Sequence, residues 1–333
     1  MADMGPVEDS EFTAAVQEVF DGGCRDDVVR RPQYPADPGV VRVADTCLAI
    51  HAGPLLAIPG IGLKQSGRLA VERLLAGVAG SGLSPSHLTL DLTLPPEIPD
   101  EDIGRFMSGI DAAATDHGVS IVTGHTARYE GCAYPAVGAG TALALGEEAE
   151  LVSAEGARPG DRVIISNGPA LAATGVLGHL ATTDLTAETA ATARDRLAEA
   201  TIVDAAQHVS TVEHVSAMAG AGDGGLDRCL AEIASVNDVG IAVDRDRIPH
   251  RPGVKALWNA LSLNRWKASA TGALIVTVEP AYVEEVVDRF LDAGVPAAAV
   301  GEVVDGSGVS ANGAAVSSGT DPLWEAFGRY GVS

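Results

Sequence analysis

Lysine is almost missing from this 333-residue chain: Lys64, Lys255 and Lys267 are the only three. Lysine and arginine together number 22 against 45 aspartates and glutamates, a formal charge of −23. A surface of that sign repels phosphate backbones and anionic headgroups, which argues against nucleic-acid and membrane-surface partners. The same acidic balance fits a cytoplasm rich in salt, where screening tolerates self-repulsion, so a halophilic archaeon is the expected source. Aromatic residues make up only 4% although 46% are hydrophobic, so the core must rest on Ala, Val, Leu and Ile. The four cysteines, Cys24, Cys47, Cys132 and Cys229, form no C-x-x-C pair. That spacing speaks against a disulfide framework or a zinc knuckle and fits a reducing compartment. No apolar run is long enough to span a bilayer, and the acidic N-terminus lacks the pattern of a signal peptide. A soluble, cytoplasmic protein is expected.

What is present is regular periodicity. Residues 1–20 carry a helical pattern with Phe12, Val16, Val19 and Phe20 on one side. Gly67–Gly80 reads as a second helix, and His87–Leu94 alternates strictly, as a half-buried strand does. After Pro95-Pro96, Asp100 is placed to cap a helix carrying Ile103, Phe106, Met107 and Ile110. Gly118 stops that helix before a strand at Val119. The pattern restarts after Leu151, with a strand over Asp161–Ser166 and a helix that Gly168-Pro169 opens. An alanine-rich helix follows over Thr186–His208, then a helix over Gly224–Val236. Strands over Gly272–Val278 and Ala298–Val304 flank a helix over Tyr282–Ala293, and Asp305–Gly319 reads as a hairpin or loose loop. The fold class is α/β (α+β), with two domains expected over 1–150 and 151–333.

The stretch Val119–Gly146, VSIVTGHTARYEGCAYPAVGAGTALALG, carries the most chemistry. A β-prone run ends at Thr123-Gly124-His125-Thr126, a polar loop follows, and a second strand runs over Ala136–Leu145. Two hydroxyls, an imidazole and backbone N–H groups at one strand edge suit an anionic or phosphorylated ligand. An ordinary turn would look the same in isolation. Further words follow in order: RPGDRVIISNGPALAATGVL (158–177), AMAGAGDGGL (217–226), VGIAVDRDRIP (239–249), TGALIVTVEP (271–280) and AGVPAAAVGEVVD (293–305). Together they resemble the superfamily of aminoimidazole ribonucleotide (AIR) synthase, HypE, thiamine-monophosphate kinase and selenophosphate synthetase. The resemblance is to its AIR-synthase-related, HypE-like branch, and it covers nearly the whole chain. It implies a two-domain AIR-synthase-like fold, a homodimer paired through the N-terminal domains, bound ATP, and Mg2+ held by carboxylates. ATP would activate an amide or carbonyl-type oxygen by phosphorylation or dehydration.

Carried over residue by residue, the resemblance implies nucleotide contacts from Thr123, Gly124, Thr126, Gly224 and Gly225. It gives acid–base roles to His125 and Asp223, and a magnesium ligand in Asp37. Asp37 before Pro38 also reads as a turn residue, and Asp223 as a helix N-cap. Two other family carboxylates are replaced: Gly53-Pro54 stands for the second acidic word and Ala76-Gly77 for the third. Glycine offers no anionic oxygen to a hard cation, so a degenerate scaffold or nucleotide-sensing pseudoenzyme is the alternative reading. HypE ends in a cysteine that carries its carboxamide. This sequence ends Gly328-Arg329-Tyr330-Gly331-Val332-Ser333, so that carrier is expected to be lacking.

Overall fold

The structure is a computed structural model that describes residues 15, 25–31, 38–317 and 319–332. The helical pattern over residues 1–20 and the candidate ligand Asp37 lie outside the described residues, except for Ala15. The first half contains β1 (Val28–Arg30), β2 (Gly39–Val43), β3 (Thr46–Leu56), α1 (Leu63–Ala79) and β4 (Ser84–Leu94). It continues with α2 (Asp100–Asp116), β5 (Ser120–Arg128) and β6 (Ala136–Gly146). The strands form one sheet in the order β1-β2-β3-β6-β4-β5, antiparallel except where β4 meets β5. Leu88, Leu90, Leu92 and Leu94 point to one face and pack into a core with Val71, Leu74, Leu75, Phe106 and Ile110. Helices α1 and α2 cover that face. They touch backbone to backbone: a Cβ on Gly109 would lie 1.9 Å from the Lys64 carbonyl oxygen.

The second half contains β7 (Arg162–Ser166), α3 (Leu171–Leu180), α4 (Ala187–Arg194), α5 (Val203–Ser210), β8 (Val215–Ala221), α6 (Gly225–Val236) and β9 (Gly240–Val243). It ends with α7 (Val254–Leu261), β10 (Ala273–Val278), α8 (Val283–Asp292), β11 (Ala297–Val304), β12 (Gly308–Ala311), β13 (Ala314–Ala315) and α9 (Pro322–Tyr330). The sheet order is β13-β12-β9-β11-β7-β10-β8. Every residue of β10 is buried, because it lies between β7 and β8 and both faces are covered; hence its apolar run shows little alternation. Leu274, Val276 and Val278 face the core that holds α5, α8 and the first half of the chain. Ala273 and Ile275 face α6. The apolar core therefore runs continuously from one half to the other. Among the described residues no helix is long and apolar enough to cross a membrane.

Four sequence expectations need correction. The strand after Val119 does not end at Thr123-Gly124-His125-Thr126; β5 continues to Arg128 through all four. It is an edge strand with nearly every residue exposed, and its small polar residues made it look like a loop. Asp100 does not cap α2: Pro99 is the N-cap and the Asp100 carboxylate pairs with Arg128 at 2.6 Å. Helix α3 begins at Leu171 after Ala170 in the left-handed region, so Pro169 is not its first residue. The helix expected over Thr186–His208 breaks into α4, a 3-10 turn over Asp195–Glu199 and α5. Leu197 turns inward there, and a Cβ on Gly175 of α3 would meet its Cγ at 2.5 Å. Packing overrides the helix propensity of alanine.

Candidate functional site

The turn from β8 into α6 reads Gly222-Asp223-Gly224-Gly225. Gly224 and Gly225 have φ of +78° and +66°, a region open to glycine at little strain. A Cβ on Gly225 would lie 2.5 Å from the carbonyl oxygens of both Trp266 and Ala268, so this turn admits no side chain at that position. Gly224, rather than Asp223, is the N-cap of α6.

Asp223 faces the first half of the chain. Its carboxylate accepts from Arg73 Nη2 of α1 at 2.9 Å, and the two side chains are only 20% and 15% exposed. Arg73 Nη1 also reaches Ser269 Oγ at 3.4 Å. Burial alone would raise the Asp223 carboxyl; the charge and hydrogen bond of Arg73 reverse this and hold it below the usual range. Asp321, at the start of α9, closes the other side. It accepts from Gly224 N–H at 3.2 Å and Leu323 N–H at 2.8 Å. Burial and then the neighbouring Asp223 charge push its carboxyl up to about 6, against backbone hydrogen bonds from Leu323, Gly224 and Ser269. The start of α6 is thus held by an internal carboxylate and by Trp266, whose carbonyl accepts from Asp227 N–H at 3.1 Å.

Positions 53 and 77, where the resemblance expects carboxylates, meet in space. A Cβ on Gly77 of α1 would fall 2.2 Å from the His51 ring, and one on Gly53 would lie 3.3 Å from His51 Nε2. The imidazole of His51 therefore fills the room beside both glycines. Neither position presents an anionic oxygen, so the residues found there do not fit a magnesium site. Among the described residues no group of three or more His, Cys, Asp or Glu side chains could hold a metal ion.

On β5, ladder partners share a face of the sheet. His125 pairs with Asp91, whereas Gly124 and Thr126 pair with Leu90 and Leu92 of the helix-covered face. The four residues expected at one loop edge are therefore divided between two faces. His125 Nε2 lies 3.1 Å from the Tyr129 hydroxyl and is exposed. Asp223, Gly224 and Gly225 sit together at the α6 turn, and Arg73 is the residue that sequence reasoning missed. Its signal was a charge set among Leu69, Ala70 and Leu74 on the apolar stripe of α1. A cleft of about 580 Å³ opens nearby between the halves, bounded by Lys64, Arg68, Glu72, Ala200 and Thr201 among others. Glu72 holds His117 at 2.9 Å, and that hydrogen bond raises the imidazole pKa against the effect of burial.

Two sheets sharing one core, a helix-covered first sheet, and a Gly-Gly turn bound to α1 by an ion pair define a two-domain α/β architecture. The chain belongs to the AIR synthase related protein family: its N-terminal domain matches residues 35–144 and its C-terminal domain residues 158–313. Within that family it is HypE-like. It is 29% identical over 249 residues to carbamoyl dehydratase HypE of Rhizobium leguminosarum bv. viciae, covering 72% of this chain and 68% of that one. It is 27% identical over 279 residues to the HypE of Cupriavidus necator, covering 81% and 75%. The fold is similar to that of hydrogenase maturation protein HypE in complex with ATP, with a TM-score of 0.68 at 18% identity over 97% and 98% of the chains. Thiamine-monophosphate kinase from Stenotrophomonas maltophilia K279a gives a TM-score of 0.70 at 22% identity over 88% and 93%.

Proposed function

We propose that this chain uses ATP to activate the oxygen of a small amide or carbonyl-type substrate, by dehydration of the kind named for its relatives. The observation that carries the reading is the identity to carbamoyl dehydratases, which extends over 81% of the chain in the Cupriavidus comparison. Dehydrating a carboxamide with ATP places the γ-phosphoryl on the amide oxygen. Phosphate then leaves with that oxygen while nitrogen gives up both protons, and a nitrile remains. His125, an exposed imidazole on β5, is the residue assigned to take a proton. Asp223 is a positioning residue: tied to Arg73, it sets the Gly-Gly turn and is not a free base. No step is assigned to magnesium.

Calorimetry of the intact protein with ATP, combined with a phosphate-release assay, tests the reading. Binding with release of phosphate is expected, and His125→Ala should slow release at least tenfold while leaving the melting temperature unchanged. Failure to bind at millimolar ATP would overturn it. The packing of His51 against Gly53 and Gly77 favours a second reading, a nucleotide-sensing scaffold, for which binding without phosphate release is the signature.

A homodimer and a domain division near residue 150 belong to the same proposal. The face of the first sheet opposite α1 and α2 carries apolar residues in the open: Val43 is 55% exposed and Leu145 41%. At the edge, Val122 of β5 is 54% exposed. An uncovered apolar sheet face of this kind suits a second copy of the chain. Leu145→Lys is expected to weaken self-association about tenfold in light scattering and to leave the melting temperature of the monomer unchanged. A dimer of unaltered strength would place the interface elsewhere.

A further inference from the structure

With 45 carboxylates for 22 lysines and arginines, a partly buried arginine with no carboxylate partner among the described residues is conspicuous. Arg265 Nε is buried and makes no hydrogen bond. Its guanidinium lies over Trp266, 5.0 Å from the ring centroid. Arg245 lies over the same ring at 4.6 Å but is committed to an ion pair with Asp227. His250 meets that indole edge-on, with centroids 5.6 Å apart. Its Nδ1 lies 2.9 Å from the Ile248 carbonyl oxygen. A carbonyl only accepts, so Nδ1 carries the proton and Nε2 of the neutral ring is an acceptor. That Nε2 is buried and receives no donor. One indole is thus flanked by an unused donor and an unused acceptor, and buried polar groups of a native protein ordinarily find partners.

The surroundings select the charge of that partner. Residues 244–267 hold six lysines and arginines against two aspartates, in a chain whose total is −23; Arg245 and Arg251 are paired with Asp227 and Glu199, and a cationic excess remains. The corner also abuts the Gly-Gly turn, because the Trp266 carbonyl accepts from Asp227 N–H and crowds Gly225. We propose that Arg265 and His250, framed by Trp266, form a binding site for an unchelated oxyanion of the phosphate class carried by the substrate. One oxygen accepts from Arg265 Nε, and a proton shared with His250 Nε2 closes the other side. A magnesium-bound triphosphate brings its own cation and calls for carboxylates; this corner offers cations. Assigning the oxyanion to the substrate rests on the ATP-using reading above, whereas the site itself does not.

The test titrates the intact protein with inorganic phosphate at constant ionic strength in KCl, by calorimetry and by NMR of the imidazoles. In the free protein, burial lowers the His250 pKa; Lys255 and Arg265 add to this, while the Ile248 hydrogen bond and Asp246 oppose it. Saturable binding with an upward movement of that pKa is expected. Arg265→Gln should weaken phosphate at least tenfold and leave the melting temperature in phosphate-free buffer unchanged; Arg265→Lys, which keeps the charge but lacks Nε, should fall between. No saturable binding, or equal binding by Arg265→Gln, overturns the site. A lower melting temperature of Arg265→Gln without phosphate also overturns it, by making the arginine a clamp on Trp266. A non-hydrolysable ATP analogue separates the sources: simultaneous binding supports a substrate oxyanion, and competition for the corner overturns that assignment. If phosphate binds and ATP does not, the ATP reading fails and the site stands.

Discussion

Arg73→Met is expected to lower folding stability by about 3–5 kcal/mol, read by chemical denaturation at fixed salt. Arg73 is the cation that faces Asp223 directly, and it also lies within the field of Asp321. Removing it leaves two largely buried carboxylates without that charge. Both must then be desolvated unpaired or take up protons, and either outcome disfavours the folded state. The loss comes from the stranded charges more than from the pair's own attraction. Arg73→Met combined with Asp223→Leu should therefore recover most of it, to within about 1–2 kcal/mol of the parent. Arg68→Met is the contrast on the same helix. Its partner Asp116 is held at 2.6 Å, but the two side chains are 41% and 58% exposed, and exposed pairs contribute about 0–1 kcal/mol. A loss below about 1 kcal/mol for Arg73→Met would show that water reaches the pair. A double variant no better than the single one would show that Arg73 acts through packing.

The fold was readable where periodicity and burial coincide. His87–Leu94 alternates because one face of β4 lies under α1 and α2, and the residues that looked apolar on α1 are the ones it buries. Reading failed where a neighbour decides the local structure. Nothing within Thr123–Thr126 shows that β4 will pair alongside and hold those residues extended. Similarly, nothing in the alanines of 186–208 shows that Gly175 leaves room for Leu197 to turn in. The site was half readable. The resemblance expects carboxylates near 53 and 77, but nothing in it shows that His51, two residues before Gly53 on β3, packs against Gly77 of α1. Arg73 was equally hidden, since its partners Asp223 and Ser269 lie 150 and 196 residues away.

Asp321 sets the pH dependence of this same junction. It is 3% exposed, and its carboxyl titrates near 6 in the folded chain against an ordinary value of 3.8. A raised acid is neutral in the folded protein while already ionised in the unfolded one. Its effect on stability is therefore absent below about pH 4, grows as pH rises through 4 to 6, and is complete above about 6.5. The sign is destabilising with rising pH, opposite to that of an ordinary ion-paired aspartate. Two units correspond to about 3 kcal/mol, so a swing of about 2–3 kcal/mol is expected once neighbouring groups relax. Asp321→Asn does not titrate and retains an oxygen for either Leu323 N–H or Gly224 N–H. Its stability relative to the parent should improve by that amount between pH 4 and pH 7, whatever fixed loss the missing second acceptor causes. Denaturation curves at four or five pH values for both proteins give the difference directly, and every shared carboxylate except the neighbouring Asp223 cancels. A difference that stays flat would place Asp321 at its ordinary value, with solvent reaching the start of α9. If Arg73→Met is introduced as well, the titration of Asp321 should move above 6, because the cation that moderates the pair of carboxylates is then gone.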